Sequence, residues 1–439
     1  MNFIQHNKQV EVGGTVRSPS QAHAGQAILL IALLMVALIG FTALAVDGGS
    51  LFLTERNARN AADAAVLAAT YELCKTGDPA DADLALVEQA ALAAAADNHF
   101  NNDGVTNTVT VQHPPTDGDI AADLASASES IRSEYIQVVI QADAPTYLIH
   151  LVYQGPSEVT ARAVGHCRRE RPAFAGYALV ALNDSVNVKG IHGGGTGTIA
   201  INNAGALSNS TNPSASITVD GGASLQADGP IDTAGGFDAG ESISPTPNHI
   251  EQIIPDPLAN LPEPPNPGNC QPQIRLDSSE TTGTFEPGCY AGLKLNAADK
   301  TIYLEPGLYY FTDDVSIEAG NLIAENVLIF MEDGGFSTTG GDLTLTAMTT
   351  GEWAGMLLYS SRDNDSSSET IKFTAQGVQT ITGTVYAPNV DLELAGGADD
   401  NVTGQFIAST VKVTGSGDFE IAYDEDVLYK IPPELTFVR

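Results

Sequence analysis

From Gln26 to Val46 the chain reads QAILLIALLMVALIGFTALAV, 21 residues without a charge. A helix rises about 1.5 Å per residue, so this run is about 31 Å long, which matches the hydrocarbon core of a bilayer. Such a segment near the start of a chain is expected to hold it to a membrane, and the remaining residues must then fold on one side. Ile28, Leu34, Leu38 and Phe41 are the side chains expected to face lipid. Lys8 and Arg17 precede the run, while Asp47, Glu55, Arg56 and Arg59 come after it, so the bias of basic residues orients it only weakly. The rest of the chain orients it better. The net charge is -35, and the four cysteines, Cys74, Cys167, Cys270 and Cys289, are an even set that fits two disulfides in an oxidising compartment. Residues 1–25 are therefore expected to be a cytoplasmic tail, 26–46 a single membrane span, and the bulk extracytoplasmic.

Two processing sites compete with an uncut anchor. Ala43-Leu44-Ala45 has the small-x-small pattern of a signal-peptidase site, yet the apolar run is longer than a signal h-region and helix-forming sequence continues beyond it. A prepilin-type cut after Gly25 normally needs Glu at the fifth mature position, which here is Leu30. Retention of the anchor is expected.

After Gly48-Gly49, the segment LFLTERNARNAADAAVLAATYELC is rich in Ala and Leu, strong helix formers. Leu51, Ala58, Ala62, Ala65 and Ala69 fall on one stripe of small residues that suits close packing, and composition alone favours packing on the chain's own domain. Gly25-Gln26 before the span, Ala45-Val46-Asp47-Gly48-Gly49 at its exit and RNARNAADAA from Arg56 to Ala65 together resemble the N-terminal region of TadE/TadG-like proteins of the Flp (tight-adherence) pilus system. The likeness extends more loosely to the strand-rich stretch ending in Ala161-Arg162-Ala163 and Cys167, and DPLANLPEPP resembles regions attached to TadG-like anchors. The resemblance implies a bacterial cytoplasmic-membrane protein with other pilus-assembly or envelope proteins as partners, besides the lipid bilayer. Some TadG-like proteins carry a von Willebrand A domain with an Asp-x-Ser-x-Ser metal site; this chain has no such pattern, so that activity is not carried over.

Residues 47–170 read as a small α+β, pseudopilin-like ectodomain: a second helix near residues 83–97, then alternating strands at 109–112 and 135–142. Four cysteines allow three pairings. The most economical joins Cys74 to Cys167 and Cys270 to Cys289, each within one domain.

From about residue 171 to 430 short alternating runs are cut by Gly, Asn and Asp. ITGTVYAPNVDLEL (381–394) matches VTGQFIASTVKVTG (402–415) at an offset of 21, aligning Gly383 with Gly404, Ala387 with Ala408 and Val390 with Val411; WAGMLLYSS with IKFTA is an earlier copy. One strand–turn–strand unit per period of about 20 predicts an all-β, parallel β-helix-like solenoid, with a β-sandwich as the alternative. The register predicted from this alignment stacks Lys372, Asp391 and Lys412 on one outer face. The Pro-rich stretch 244–270 is expected to be an extended surface connector.

No catalytic, cofactor-binding or metal-binding residue emerges from the sequence. The acidic balance disfavours nucleic acid as a partner. His192-Gly193-Gly194-Gly195 suits a tight corner, and the alternation of Asp363, Asp365, Ser367 and Glu369 lacks the glycine of a calcium loop. The expected function is an anchored extracytoplasmic scaffold or adhesion component of a pilus or envelope assembly, with a surface glycan as a further partner. The alternative is a surface-displayed, carbohydrate-active β-helix enzyme.

Overall fold

The computed structural model describes residues 24–149, 155, 157–238, 242–364, 369–374, 377–395, 401–415 and 417–438. The chain forms two compact units, Met1–Arg169 with Glu434–Arg439, and Glu170–Pro433.

In the first unit one unbroken helix, α1 (Ala24–Cys74), carries the apolar run and the Ala-rich segment together. Ile28, Leu34, Leu38 and Phe41 are 56–70% exposed, so among the described residues little packs over them. Beyond the apolar run the helix changes character: Ala58, Ala62, Ala65 and Ala69 are fully buried. They share a core with Val87, Ala91 and Ala95 of α2 (Leu84–Asp97) and with Ile136, Val138, Ile140, Ala161 and Ala163 of the sheet. Asp83 caps α2 by accepting from the Ala85 N–H. The sheet is antiparallel, with β1 (Asn107–Gln112), β2 (Tyr135–Asp143) and β3 (Glu158–Arg168) in order. Its fourth strand comes from much later in the chain: Glu434–Val438 pairs antiparallel with β3, Val164 opposite Val438. Small residues set the helix–sheet distance. A Cβ at Gly165 would overlap Thr70 Oγ1, which itself donates to Val66 O at 2.6 Å.

The second unit is β-rich. Among the described residues all its strands pair in parallel except Arg171–Pro172 and Lys430–Ile431, which pair antiparallel with each other. Each copy offers three paired runs. In one, residues 380–382, 384–387 and 392–395 pair with 401–403, 405–408 and 411–414, the first two runs lying on a single strand, Gln379–Ala387. Alternate side chains, among them Ile371, Phe373, Ile381, Leu392, Leu394, Val402, Val411 and Ile421, fall in one apolar core. The copies between residues 282 and 422 stack in chain order. The earlier residues then add beyond the last of them: Val180 pairs with Ile407, Ile191 with Val411 and Ile201 with Ile421. The two ends of this unit therefore meet within the stack.

The structure corrects the sequence register. Gly383 opposes Gly404 and Ala387 opposes Ala408, as the repeat implies, but Leu392 rather than Val390 opposes Val411. The corner from Ala387 to Leu392 is two residues longer than that from Ala408 to Val411, and the turn absorbs the difference. Asp391 consequently opposes Thr370, and the residue stacked between Lys372 and Lys412 is Glu393.

Candidate functional site

At the exit of the apolar run the first unit is built around a charge. Asp47 follows the run directly and is 2% exposed. Its carboxylate accepts from three successive backbone N–H groups, those of Tyr147 at 2.8 Å, Leu148 at 2.9 Å and Ile149 at 2.5 Å. One turn on, Ser50 Oγ donates to Pro145 O at 2.6 Å. A buried carboxylate is tolerated when several donors converge on it, so the Asp of the AVDGG segment ties the loop after β2 to the helix. At the other end of the unit the Cys74–Cys167 disulfide joins the end of α1 to β3.

Arg162, the middle of Ala161-Arg162-Ala163, donates to Asp117 Oδ1 at 2.8 Å, and Gln137 Nε2 donates to the same atom at 2.6 Å. Beside them lies a cavity of about 530 Å³ lined by Asp63, Asp119, Asp123, Arg162 and Phe437.

In the second unit, the outer side of the middle strand column is apolar. Tyr310, Phe330, Tyr359, Tyr386, Ile407, Val180 and Leu207 succeed one another across paired strands. The Pro-rich stretch is mostly exposed and docks on this column through Leu258, which is 2% exposed and packs into the same cluster. Tyr386 OH donates to Asp256 at 2.7 Å, and Tyr359 OH to Leu261 O at 3.2 Å. Arg362 clasps the segment, donating to Leu261 O at 3.0 Å and to Leu258 O, while its main-chain N–H donates to Glu263 at 2.9 Å. Burial pushes the Tyr359 hydroxyl up to about 12 despite the opposing pull of Arg362. The Cys270–Cys289 disulfide closes the end of the connector. A cavity of about 800 Å³ runs along it, lined by Leu261, Pro262, Met348, Glu352, Ile431 and Pro433.

On another column Glu393 lies 3.5 Å from Lys372 Nζ and 3.2 Å from Lys412 Nζ. Burial raises the Glu393 carboxyl, but the hydrogen bond and charge of Lys412, with those of Lys372, outweigh it and hold it below the usual glutamate range. His192, next in the column, lies on a strand with Gly193, and the corner falls at Gly194 and Gly195. Its Nδ1 is 2.8 Å from Thr218 Oγ1. Asp365 and Ser367 lie outside the described residues. Among the described residues no group of three His, Cys, Asp or Glu side chains is placed to hold a metal.

Sequence reasoning missed the grip of Asp47, the strand Glu434–Val438 and the contacts that dock the connector. Only the first had a signal: Asp47 is the sole charge between Gln26 and Thr54.

Two family models match separate parts of the chain. One, described as Flp pilus-assembly TadE/G-like, covers residues 25–77; the other, described as a domain of unknown function (DUF7305), covers residues 273–428. No curated protein and no solved structure matches the chain. The first match spans the apolar run, the Asp47 junction and the buried alanine stripe. The N-terminal region, residues 25–77, thus carries a TadE/G-like Flp pilus-assembly domain.

Proposed function

We propose that the chain is a single-pass component of a bacterial Flp-type pilus-assembly system, with residues 1–25 cytoplasmic, 26–46 in the membrane and both units outside. The observation that carries this reading is the TadE/G-like match on a helix with an apolar run long enough to cross a bilayer. The first unit, residues 47–170 with the returning strand, engages pilus-assembly or envelope proteins. The second we read as a three-sided parallel β-helix-like solenoid that acts by binding, as a scaffold or an adhesion surface toward proteins or a surface glycan. Parallel pairing with three paired runs per copy and an apolar interior support that reading. Partner capture tests it. A photo-crosslinking residue at Val105, 80% exposed on the first unit, is to be activated in the native membrane. Adducts with pilus-assembly components are expected, together with loss of piliation on deleting the gene; unchanged piliation and no such adduct would contradict the proposal.

A further inference from the structure

Asp47 spends its charge on three N–H groups, and the next charge along α1 is Glu55. Counting Asp47, the stretch without an outward charge is residues 26–54, 29 in all. As helix this is about 43 Å, the thickness of a bilayer with its headgroup layers rather than of the hydrocarbon alone. The helix past Asp47 keeps an apolar exposed side that its own unit leaves bare: Phe52 is 75% and Leu53 60% exposed. On the loop held by Asp47, Tyr147 is 68% exposed. Hydrogen bonds to residues 47 and 50 fix that loop, so its height along the helix is set by the exit of the apolar run.

Building on the reading of α1 as a membrane span, we propose that the loop 145–149 is a second membrane contact. It sits in the interfacial layer of the bilayer beside α1, with Tyr147, Phe52 and Leu53 among the lipid headgroups and upper acyl chains. A tyrosine suits that layer because its ring is apolar and its hydroxyl stays hydrated. Arg56 and Arg59 stand just beyond, where lipid phosphates are met, and Arg59 is also paired with Glu55. Asp47 is then a positioning residue: it satisfies the loop's backbone donors, which would otherwise be left without water at this depth. Two contacts hold the first unit at a fixed height and rotation, where a lone helix would leave it free to turn.

The test uses the full chain in phospholipid vesicles whose acyl chains carry bromine either near the carbonyl end or near the methyl end. The chain has one tryptophan, Trp353, replaced by Phe. Three single-tryptophan proteins are then compared. Tyr147→Trp probes the loop, Phe41→Trp the span, and Tyr71→Trp an exposed position on α1 that lies 24 residues, or about 36 Å of helix, beyond Asp47. Emission of the Tyr147→Trp protein is expected to fall roughly two-fold or more with the shallow bromines and less with the deep ones, as befits an interfacial aromatic residue. The Tyr71→Trp protein should be unaffected. Equal quenching of the Tyr71→Trp and Tyr147→Trp proteins would overturn the loop's specific placement. So would an unquenched Tyr147→Trp protein beside a Phe41→Trp protein quenched by the deep bromines, and that outcome leaves the anchor standing. Absence of quenching in the Phe41→Trp protein as well would overturn both. With Trp353 retained, the difference from the parent emission gives the same reading, so the result does not depend on Trp353→Phe folding.

Discussion

Glu393 sits between two ammonium groups on paired strands, each within 3.5 Å of its carboxylate. Glu393→Lys places three like charges in one column and is expected to destabilise the second unit by about 1 kcal/mol, less at high salt. Leu392→Asp, which puts a charge on the buried face one residue away, is expected to cost about 3 kcal/mol or more. Urea midpoints of parent and variants at low and high salt check both the order and the salt effect. The depressed carboxyl also sets a sign for pH. The unfolded state takes up the proton first, so this contribution is present above the ordinary glutamate pKa of about 4.3 and fades as pH falls through the lower folded value. Glu393→Gln should flatten that acid limb. The alternation that points Lys372 and Lys412 outward was legible in the sequence, since a strand's period of two leaves little choice. The partner between them was not, because a corner two residues longer shifts the register without disturbing either pattern.

Helix α1 carries two roles, and its residues divide accordingly at Asp47. Asp47→Ala leaves three backbone N–H groups without their acceptor; about 2–4 kcal/mol is expected, with the larger share local to the loop. Hydrogen exchange at Tyr147, Leu148 and Ile149 should accelerate at least about ten-fold while the amides of β2 change little. Equal acceleration across the sheet would show that Asp47 holds the unit rather than the loop. Cys167→Ala, with Cys74→Ala, opens the bond between helix end and sheet across 93 residues of sequence and is expected to cost about 2–5 kcal/mol in the melting of the first unit. The Ala stripe, α2 and the strands β1 and β2 could be read from periodicity. The docking of the loop could not, because three successive N–H groups converging on one carboxylate leave no spacing pattern. The Pro-rich connector cannot feed a ladder through its prolines; side chains and carbonyls, which proline leaves intact, dock it.

Within the chain as a whole, the second unit is inserted between β3 and the strand Glu434–Val438. Nothing in the repeats reveals this, since Glu434–Val438 lies beyond them and pairs antiparallel with β3, outside their parallel rule. Ending the chain after Pro433 removes the fourth strand from the first sheet and bares the edge of β3. Limited proteolysis is expected to cut the first unit several-fold faster while sparing the second, whose own ends pair at Arg171–Pro172 and Lys430–Ile431. The proposed function depends on residues 26–46 anchoring the chain with residues 1–25 in the cytoplasm and the two units outside it. Protease protection on spheroplasts decides that topology, with an epitope placed before Gln26 and another after Arg439, followed by an alkaline wash of the membranes. Added protease should destroy the C-terminal epitope, spare the N-terminal one until the cells are lysed, and leave the N-terminal fragment in the washed membranes; a protected C-terminal epitope, or a chain released by the wash, would rule the topology out.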